Sequence, residues 1–219
     1  MRLAFVVDPL DHLKAYKDSS IAMMRAARER GHALHALEAR DLFVLEGSVR
    51  ARTRAIEVSD DNDTWYDVKA EAVEPLAAFD FVLMRKDPPF DQEYYYATLL
   101  LERAEAEGAQ VVNSPRGLRD WNEKLAILRF PSLCPPTLVA SDMASVHSFI
   151  ETHTDVIVKK LDGMGGTMIF RVTAADPNRN VIVETITDLG RRTIMAQRFI
   201  PQIAQGDKRV LVIDGEPFG

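Results

Sequence analysis

Three segments at the start of the chain limit the folds open to it more than anything that follows. LAFVV (Leu3 to Val7) is an apolar run that stops at Asp8-Pro9, as a buried strand with an exit loop does. KDSSIAMMRAARERG (Lys17 to Gly31) has helical spacing through Ile21, Met24 and Ala27, a serine cap at Ser19 or Ser20, and Gly31 to close it. ALHALEA (Ala33 to Ala39) alternates like a strand. Strand, helix and strand this close together make a βαβ unit, so the chain is expected to be α/β and to begin with a parallel sheet.

The rest of the first half extends that plan. Phe43 to Val58 alternates around Glu46-Gly47 and reads as a hairpin-like insertion. FDFVLM is a second buried strand that runs into RKDPPF, a long helix is expected from Asp91 to Glu107, and AQVVN is a further strand. Ser114-Pro115 then supplies an N-cap and a first-turn proline. Beyond Trp121 the pattern changes. NEKLAILRF reads as a short helix, and prolines at 131, 135 and 136 mark the crossing into a second domain. There TLVA, VIVKK, MIFRV and TIMAQRFI are strands, with helices over 142–153 and 178–189 and a hairpin turn at Asp214-Gly215. The expected division is 1–120 and 121–219, the second part antiparallel. Its last strand has barely begun at Gly219, so the chain is expected to be a fragment whose second domain is truncated.

Composition excludes more than it proposes. With 27 Lys and Arg against 33 Asp and Glu the formal charge is −6, which gives no electrostatic footing to nucleic-acid binding. RARTR (Arg50 to Arg54) is followed almost at once by SDDND and reads as a solvated excursion. The single cysteine, Cys134, rules out an intrachain disulfide, and no stretch approaches the roughly 20 apolar residues that a spanning helix needs. No membrane partner and a cytoplasmic location are expected.

The stretch VIVKKLDGMGGTMIFRV (Val156 to Val172) carries the chemistry. Its lysines precede its glycines and a strand follows, so it is neither the GK[ST] phosphate loop nor the dinucleotide fingerprint. Gly163, Gly165 and Gly166 permit a turn whose amides cradle an anion. Taken locally, a hairpin tip with solvated lysines stays open beside that reading.

Taken in order, LMRKDPPFD, SPRGLRDWNEKLA, KKLDGMGGTMIFRV, MAQRFIP and GDKRVLVIDGEP closely resemble the bacterial glutathione synthetases of the ATP-grasp superfamily. The likeness includes the opening VVDP, KDSS and AM, and so covers the whole chain. It implies a Rossmann-like, parallel-sheet pre-ATP-grasp domain followed by the first part of an ATP-grasp α+β domain with an antiparallel sheet. It implies ATP-dependent joining of γ-glutamylcysteine to glycine through an acyl phosphate, in a homo-tetramer. Lys124 and Lys159 match phosphate-contacting lysines, Gly163, Gly165 and Gly166 the closing loop, and Gln197, Arg198, Phe199 and Ile200 the segment that meets adenine. Asp207 matches a ribose-side acid and Arg209 a catalytic arginine on the phosphate side. Lys160 is read as a solvated neighbour. Mg²⁺, with Mn²⁺ as a substitute, is implied too, with ligands in the section beyond Gly219, so no metal ligand is assigned here.

For the peptide, Ser19 and Arg85 are the expected contacts. They lie beyond the carboxyl ends of strands, where ligands of open α/β sheets sit, and a helix N-terminus there favours an anion. A capping role for Ser19 and an ion pair of Arg85 with Asp87 are the plain structural alternatives. Two other functions stay open: another ATP-grasp carboxylate–amine ligase, and a nucleotide-binding module without catalysis.

Overall fold

A computed structural model describes residues 1–218, which divide into two compact units, Met1–Ala126 and a second that starts at Ile127. In the first, β1 (Arg2–Val6) pairs in parallel with β2 (Ala33–Leu37) on one side and β6 (Phe81–Met84) on the other, and β6 pairs in parallel with β7 (Val111–Val112). Helix α1 (Ser19–Glu29) connects β1 to β2, and α2 (Gln92–Ala106) connects β6 to β7. The alternation in LAFVV explains why both faces are covered. Leu3, Phe5 and Val7 pack with Ile21 and Met24 of α1, while Ala4 and Val6 pack with Leu101 and Ala104 of α2. Each large apolar side chain buried this way contributes on the order of 1.5–3 kcal/mol. The last helix, α3 (Pro115–Asp120), is capped by the Ser114 side chain with Pro115 in its first turn, as expected.

The parallel sheet accounts for only part of this unit. β3 (Leu42–Leu45) and the long β4 (Ser48–Val58) form the expected hairpin, with Glu46 and Gly47 both at positive φ. β4 also pairs antiparallel with β2 and with β5 (Tyr66–Pro75), a strand that the sequence reading did not anticipate. The sheet is therefore mixed, with seven strands. β5 is missed because it alternates charge and small residues, YDVKAEAVEP, and carries almost no buried side chain. An edge strand needs no apolar face to hold its backbone bonds.

Two local expectations are corrected. The α1 cap is Asp18, whose Oδ1 accepts from the Ser20 and Ile21 amides at 2.7 and 3.2 Å, and neither Ser19 nor Ser20 fills that role. NEKLAILRF is not an α-helix either. Asn122 Oδ1 gathers the amides of Lys124 and Leu125, each at 3.1 Å, and only a short 3-10 turn at Ala126–Arg129 follows.

The second unit is a four-stranded antiparallel sheet in the order β10 (Ile169–Thr173), β9 (Asp155–Lys160), β11 (Ile194–Arg198), β8 (Thr137–Ala140). Helices α4 (Met143–His153) and α5 (Arg179–Thr187) cover one face, burying Val156, Val158, Val172, Ile194 and Ala196. Beyond it β12 (Leu211–Ile213) and β13 (Glu216–Phe218) form a separate hairpin, turned at Asp214-Gly215 with both residues at positive φ. No helix among the described residues is long and apolar enough to cross a membrane.

Candidate functional site

In the first unit the candidate groups collect where β1 and β6 end. The Arg85 amide donates to Val6 O at 2.8 Å, adding one more rung to the parallel ladder, so the side chain leaves at the carboxyl end of the sheet. Its guanidinium donates from Nη2 to Ser19 Oγ at 2.8 Å and from Nε to Ser20 Oγ at 3.3 Å. Ser20 is buried, Ser19 is exposed, and no carboxylate among the described residues forms an ion pair with Arg85. The sequence reading thus brought Ser19 and Arg85 together correctly as neighbours. The free amides expected beside them are another matter. Asp18 already occupies the Ser20 and Ile21 amides, so the helix N-terminus has spent two donors on its own cap.

A second layer was not singled out from the sequence. Asp8, in the loop after β1, accepts from Lys86 Nζ through Oδ1 and from the Asp87 amide through Oδ2, both at 2.9 Å. This bridge fixes the backbone just past Arg85. Lys86, Asp8 and Pro9 also line a cleft of about 180 Å³ with Glu38, Arg40 and Glu93. The available signal was positional: VVDP and MRKDPP each place an acid within three residues of the end of a buried strand. Asp87 is an exposed residue whose carboxyl is nonetheless held above the ordinary range, first by partial loss of water and then by the charges of Asp8 and Asp18. Burial likewise raises the Tyr94 hydroxyl, against the pull of Arg85.

Lys124 stands near the end of the first unit with its side chain only 13% exposed, and Nζ pairs with the Glu123 carboxylate. A phosphate would have to compete with that carboxylate.

In the second unit the ladder sorts the residues by face. Lys159 lies opposite Ile169 of β10 and Met195 of β11, and Ile157 lies opposite Gln197. Lys159 and Gln197 therefore share the face turned away from α4 and α5, while Val156 and Val158 face those helices. Gln197 Nε2 donates to Thr137 Oγ1 at 3.0 Å. Lys160 Nζ is 3.9 Å from Asp162 Oδ1, consistent with a solvated pair.

The glycines serve two purposes in the β9–β10 connection. Gly165 and Gly166 have φ of +62° and +79°, in the left-handed region. Gly163 has ordinary φ, but a Cβ there would lie 3.3 Å from the Thr167 carbonyl. After β11, the Arg198 and Phe199 amides are already engaged, with Pro136 O at 3.0 Å and Asp155 O at 2.9 Å. Among the described residues, the Ile200 amide is the first in this segment without a partner. The Phe199 ring lies 3.8 Å below the Arg171 guanidinium. Asp207 and Arg209 follow in an exposed stretch before β12, and neither makes an ion pair among the described residues.

For a metal, no group of three or more His, Cys, Asp or Glu among the described residues is arranged to hold an ion. No described residue is assigned to Mg²⁺, which one or two carboxylates with phosphate oxygens suffice to hold, and no step below is routed through it.

Known proteins match both units. The family description "Prokaryotic glutathione synthetase, N-terminal domain" covers residues 1–119, and "Prokaryotic glutathione synthetase, ATP-grasp domain" covers residues 123–219. A glutathione synthetase of Salmonella typhimurium is 52% identical over 217 residues, which is 99% of this chain and 69% of that protein. One from Bordetella parapertussis is 53% identical over 222 residues, 99% of this chain and 70% of that protein. Among solved structures, a RimK domain ATP-grasp protein from Sphaerobacter thermophilus aligns with a TM-score of 0.59 at 21% identity, over 92% of this chain and 65% of that one. The D-cycloserine synthetase DcsG aligns with a TM-score of 0.60 at 15% identity, over 93% and 61%. These two carry the fold alone, and the chain spans less than two-thirds of either. The mixed sheet of the first unit, the antiparallel sheet of the second and the half-identical relatives agree: this chain belongs to the prokaryotic glutathione synthetase family.

Proposed function

We propose that the whole protein joins the cysteinyl carboxylate of γ-glutamylcysteine to the amine of glycine, coupled to cleavage of ATP. One observation carries the reading: the match to a glutathione synthetase, 52% identical, extends over 217 residues and 99% of the chain, and so takes in both units. Ligands of one unit alone would not require that.

The chemistry divides into two displacements. A cysteinyl carboxylate oxygen attacks the γ-phosphorus of ATP, forming the acyl phosphate as the bond to the β-phosphate oxygen breaks and ADP leaves. The glycine nitrogen then attacks the acyl carbon, the C–O bond breaks, phosphate leaves, and the amine gives up a proton. Both steps gather negative charge on phosphate oxygens, which ammonium and guanidinium groups offset. In this reading Lys159 and Lys124 supply that charge at the nucleotide, and Arg209 supplies it at the transferred group. The amides of the loop holding Gly163, Gly165 and Gly166 close over the phosphates and keep water from the acyl phosphate. Adenine is met along Gln197, Arg198, Phe199 and Ile200, where the unpartnered Ile200 amide offers a donor, and Asp207 accepts from the ribose. Ser19 and Arg85 hold the peptide. Mg²⁺ is the counter-ion such a reaction calls for, and a homo-tetramer is the assembly that goes with the family.

The test is direct. Full-length protein, ATP, Mg²⁺, γ-glutamylcysteine and glycine are expected to yield glutathione and ADP in equal amounts by chromatography. ADP release that needs D-alanine or glutamate as the acceptor, and ignores glycine, would replace this function with that of another carboxylate–amine ligase.

A further inference from the structure

Two oppositely charged side chains at the end of β6 remain once the contacts above are counted. The Arg85 guanidinium is held by two serine hydroxyls and no acid. Asp87, two residues on, has its amide tied to Asp8, yet its carboxylate makes no hydrogen bond or ion pair among the described residues. Near neighbours of opposite sign, they do not pair with each other. A bond between them would be the simple structural outcome, so its absence leaves at the end of β6 one cation without an acid and one anion without a base, each within the other's electrostatic reach. The other charges around Asp87 are already occupied: Lys86 by Asp8, and Asp18 by the amides it caps.

The local field has a sign as well. Asp8 and Asp18 both push the Asp87 carboxyl upward, after desolvation, and Arg85 and Lys86 only partly offset them. A carboxylate crowded by like charges is stabilised by an arriving cation. An arginine without an acid is correspondingly suited to a planar carboxylate, which it meets with two parallel bonds.

We propose that Arg85 and Asp87 together form a receptor for the α-amino acid head of the peptide, Arg85 taking its α-carboxylate and Asp87 its α-ammonium. The γ-glutamyl end, and not the cysteinyl end, is then what the first unit holds. The reaction itself requires this choice. The cysteinyl carboxylate must release an oxygen to attack phosphorus, and a two-point guanidinium hold would keep it from doing so. The glutamyl head takes no part in bond making and can be gripped throughout. This inference rests on the function proposed above and adds to it which end of the substrate is read, and by what.

The measurement compares γ-glutamylcysteine with glutarylcysteine, the same molecule without the α-amino group, as substrates of the full-length enzyme with ATP and glycine. The parent is expected to favour γ-glutamylcysteine in kcat/KM. Asp87→Asn should lower kcat/KM for γ-glutamylcysteine by about tenfold or more, the lower edge for a charge-assisted hydrogen bond, and bring the ratio of the two substrates towards one. The KM for ATP should stay where it was. Asp87→Ser checks that a neutral amide has not rebuilt the contact, and Arg85→Lys should weaken both substrates alike. In the parent, KM for γ-glutamylcysteine should rise as pH falls through the raised range of Asp87, and that limb should vanish in Asp87→Asn. An equal loss on both substrates in Asp87→Asn, or an undiminished preference for the amino compound, overturns the receptor. If the parent turns over a different amino acid in place of γ-glutamylcysteine, the proposed function fails, and the amino-versus-desamino contrast is read on that substrate instead.

Discussion

Arg85 in the first unit and Lys159 in the second are both cations assigned to anionic ligands, and they are held by different means. Arg85 lies at the end of a short strand, and its guanidinium is aimed by side-chain bonds to Ser19 and Ser20. Lys159 lies inside β9, with its backbone fixed by rungs to β10 on one side and β11 on the other. In the first case side-chain bonds orient the donor fork; in the second the ladder fixes where the side chain begins. The difference suits the two anions proposed as their ligands. A carboxylate is planar and rewards an oriented fork, whereas a phosphate chain accepts a point charge from several directions.

The sharpest way to break this comparison is to remove each cation and read both ligands. In the full-length enzyme, Lys159→Met keeps length and loses charge, and nucleotide affinity should fall by roughly 1.5–3 kcal/mol, the range for hydrogen bonds to charged groups. Arg85→Lys keeps charge and loses the fork, and γ-glutamylcysteine binding should fall by a similar amount. Each variant should leave the other ligand's affinity nearly unchanged in calorimetric titrations. If Arg85→Lys weakens ADP and spares the peptide, the first unit is scaffolding or phosphate-side, and the substrate assignment fails. A loss at Lys160 as large as that at Lys159 would show that the wrong lysine of the pair was chosen.

The same two regions differ in how much of them could be read in advance. The first three elements were legible because LAFVV and the α1 pattern obey one period each, and one period fixes one buried face. The β12–β13 hairpin was legible because Asp-Gly calls for the turn it makes. β5 was not, since an exposed edge strand leaves no apolar trace. The Asp18 cap was misplaced by one or two residues because Asp, Ser and Ser stand in a row and each can cap; only geometry decides among them. Ser19 and Arg85 were each found from position, but the role of Ser20 as a second acceptor and of Asp8 as the brace behind Asp87 depends on contacts between residues 65 to 79 positions apart. No local pattern encodes those.

A smaller effect sharpens the contrast at the loop. Gly166 has positive φ, and nothing lies within 4 Å of where its Cβ would be, so Gly166→Ala adds backbone strain without a clash. The left-handed region costs an L residue about 1–2 kcal/mol, and the stability of the second unit should drop by about that much in denaturant unfolding. Gly163→Ala should act differently, through the 3.3 Å approach of its new Cβ to the Thr167 carbonyl. Were Gly166→Ala as stable as its parent, the loop would be relaxing out of its left-handed turn at no cost, and the glycines would not be needed for the conformation seen here. The first unit offers no counterpart at Arg85, where no glycine intervenes.

The smallest effect separates the units by acid. In the first, His35 is buried, its Nδ1 without a hydrogen bond and 4.0 Å from Glu74 Oε2, and burial, then Arg2, lower its pKa below 6.5 against the opposing pull of Glu74. In the second, the Asp155 carboxyl is lowered below 3.8, chiefly by its bonds from Arg171 at 2.9 and 2.7 Å. Both groups bind fewer protons folded than unfolded in their windows, so each contributes stability that is present above its unfolded pKa and lost as pH falls through the lowered folded value. The windows differ: His35 begins to cost the first unit below about 6.5, and Asp155 affects the second only below about 3.8. Hydrogen exchange resolved by residue should therefore show the first unit weakening earlier on acidification. Asp155→Asn should change the second unit's stability only slightly at neutral pH, because the pair is open to solvent at Arg171 and partly so at Asp155, where salt screens it. That small difference should fade further as pH falls through the lowered range of Asp155, and in high salt. A large loss in Asp155→Asn at neutral pH would mean that the Asp155 carboxylate acts through Arg171 on Phe199, whose ring lies under that guanidinium, and the segment proposed for adenine would then be braced as firmly as Arg85.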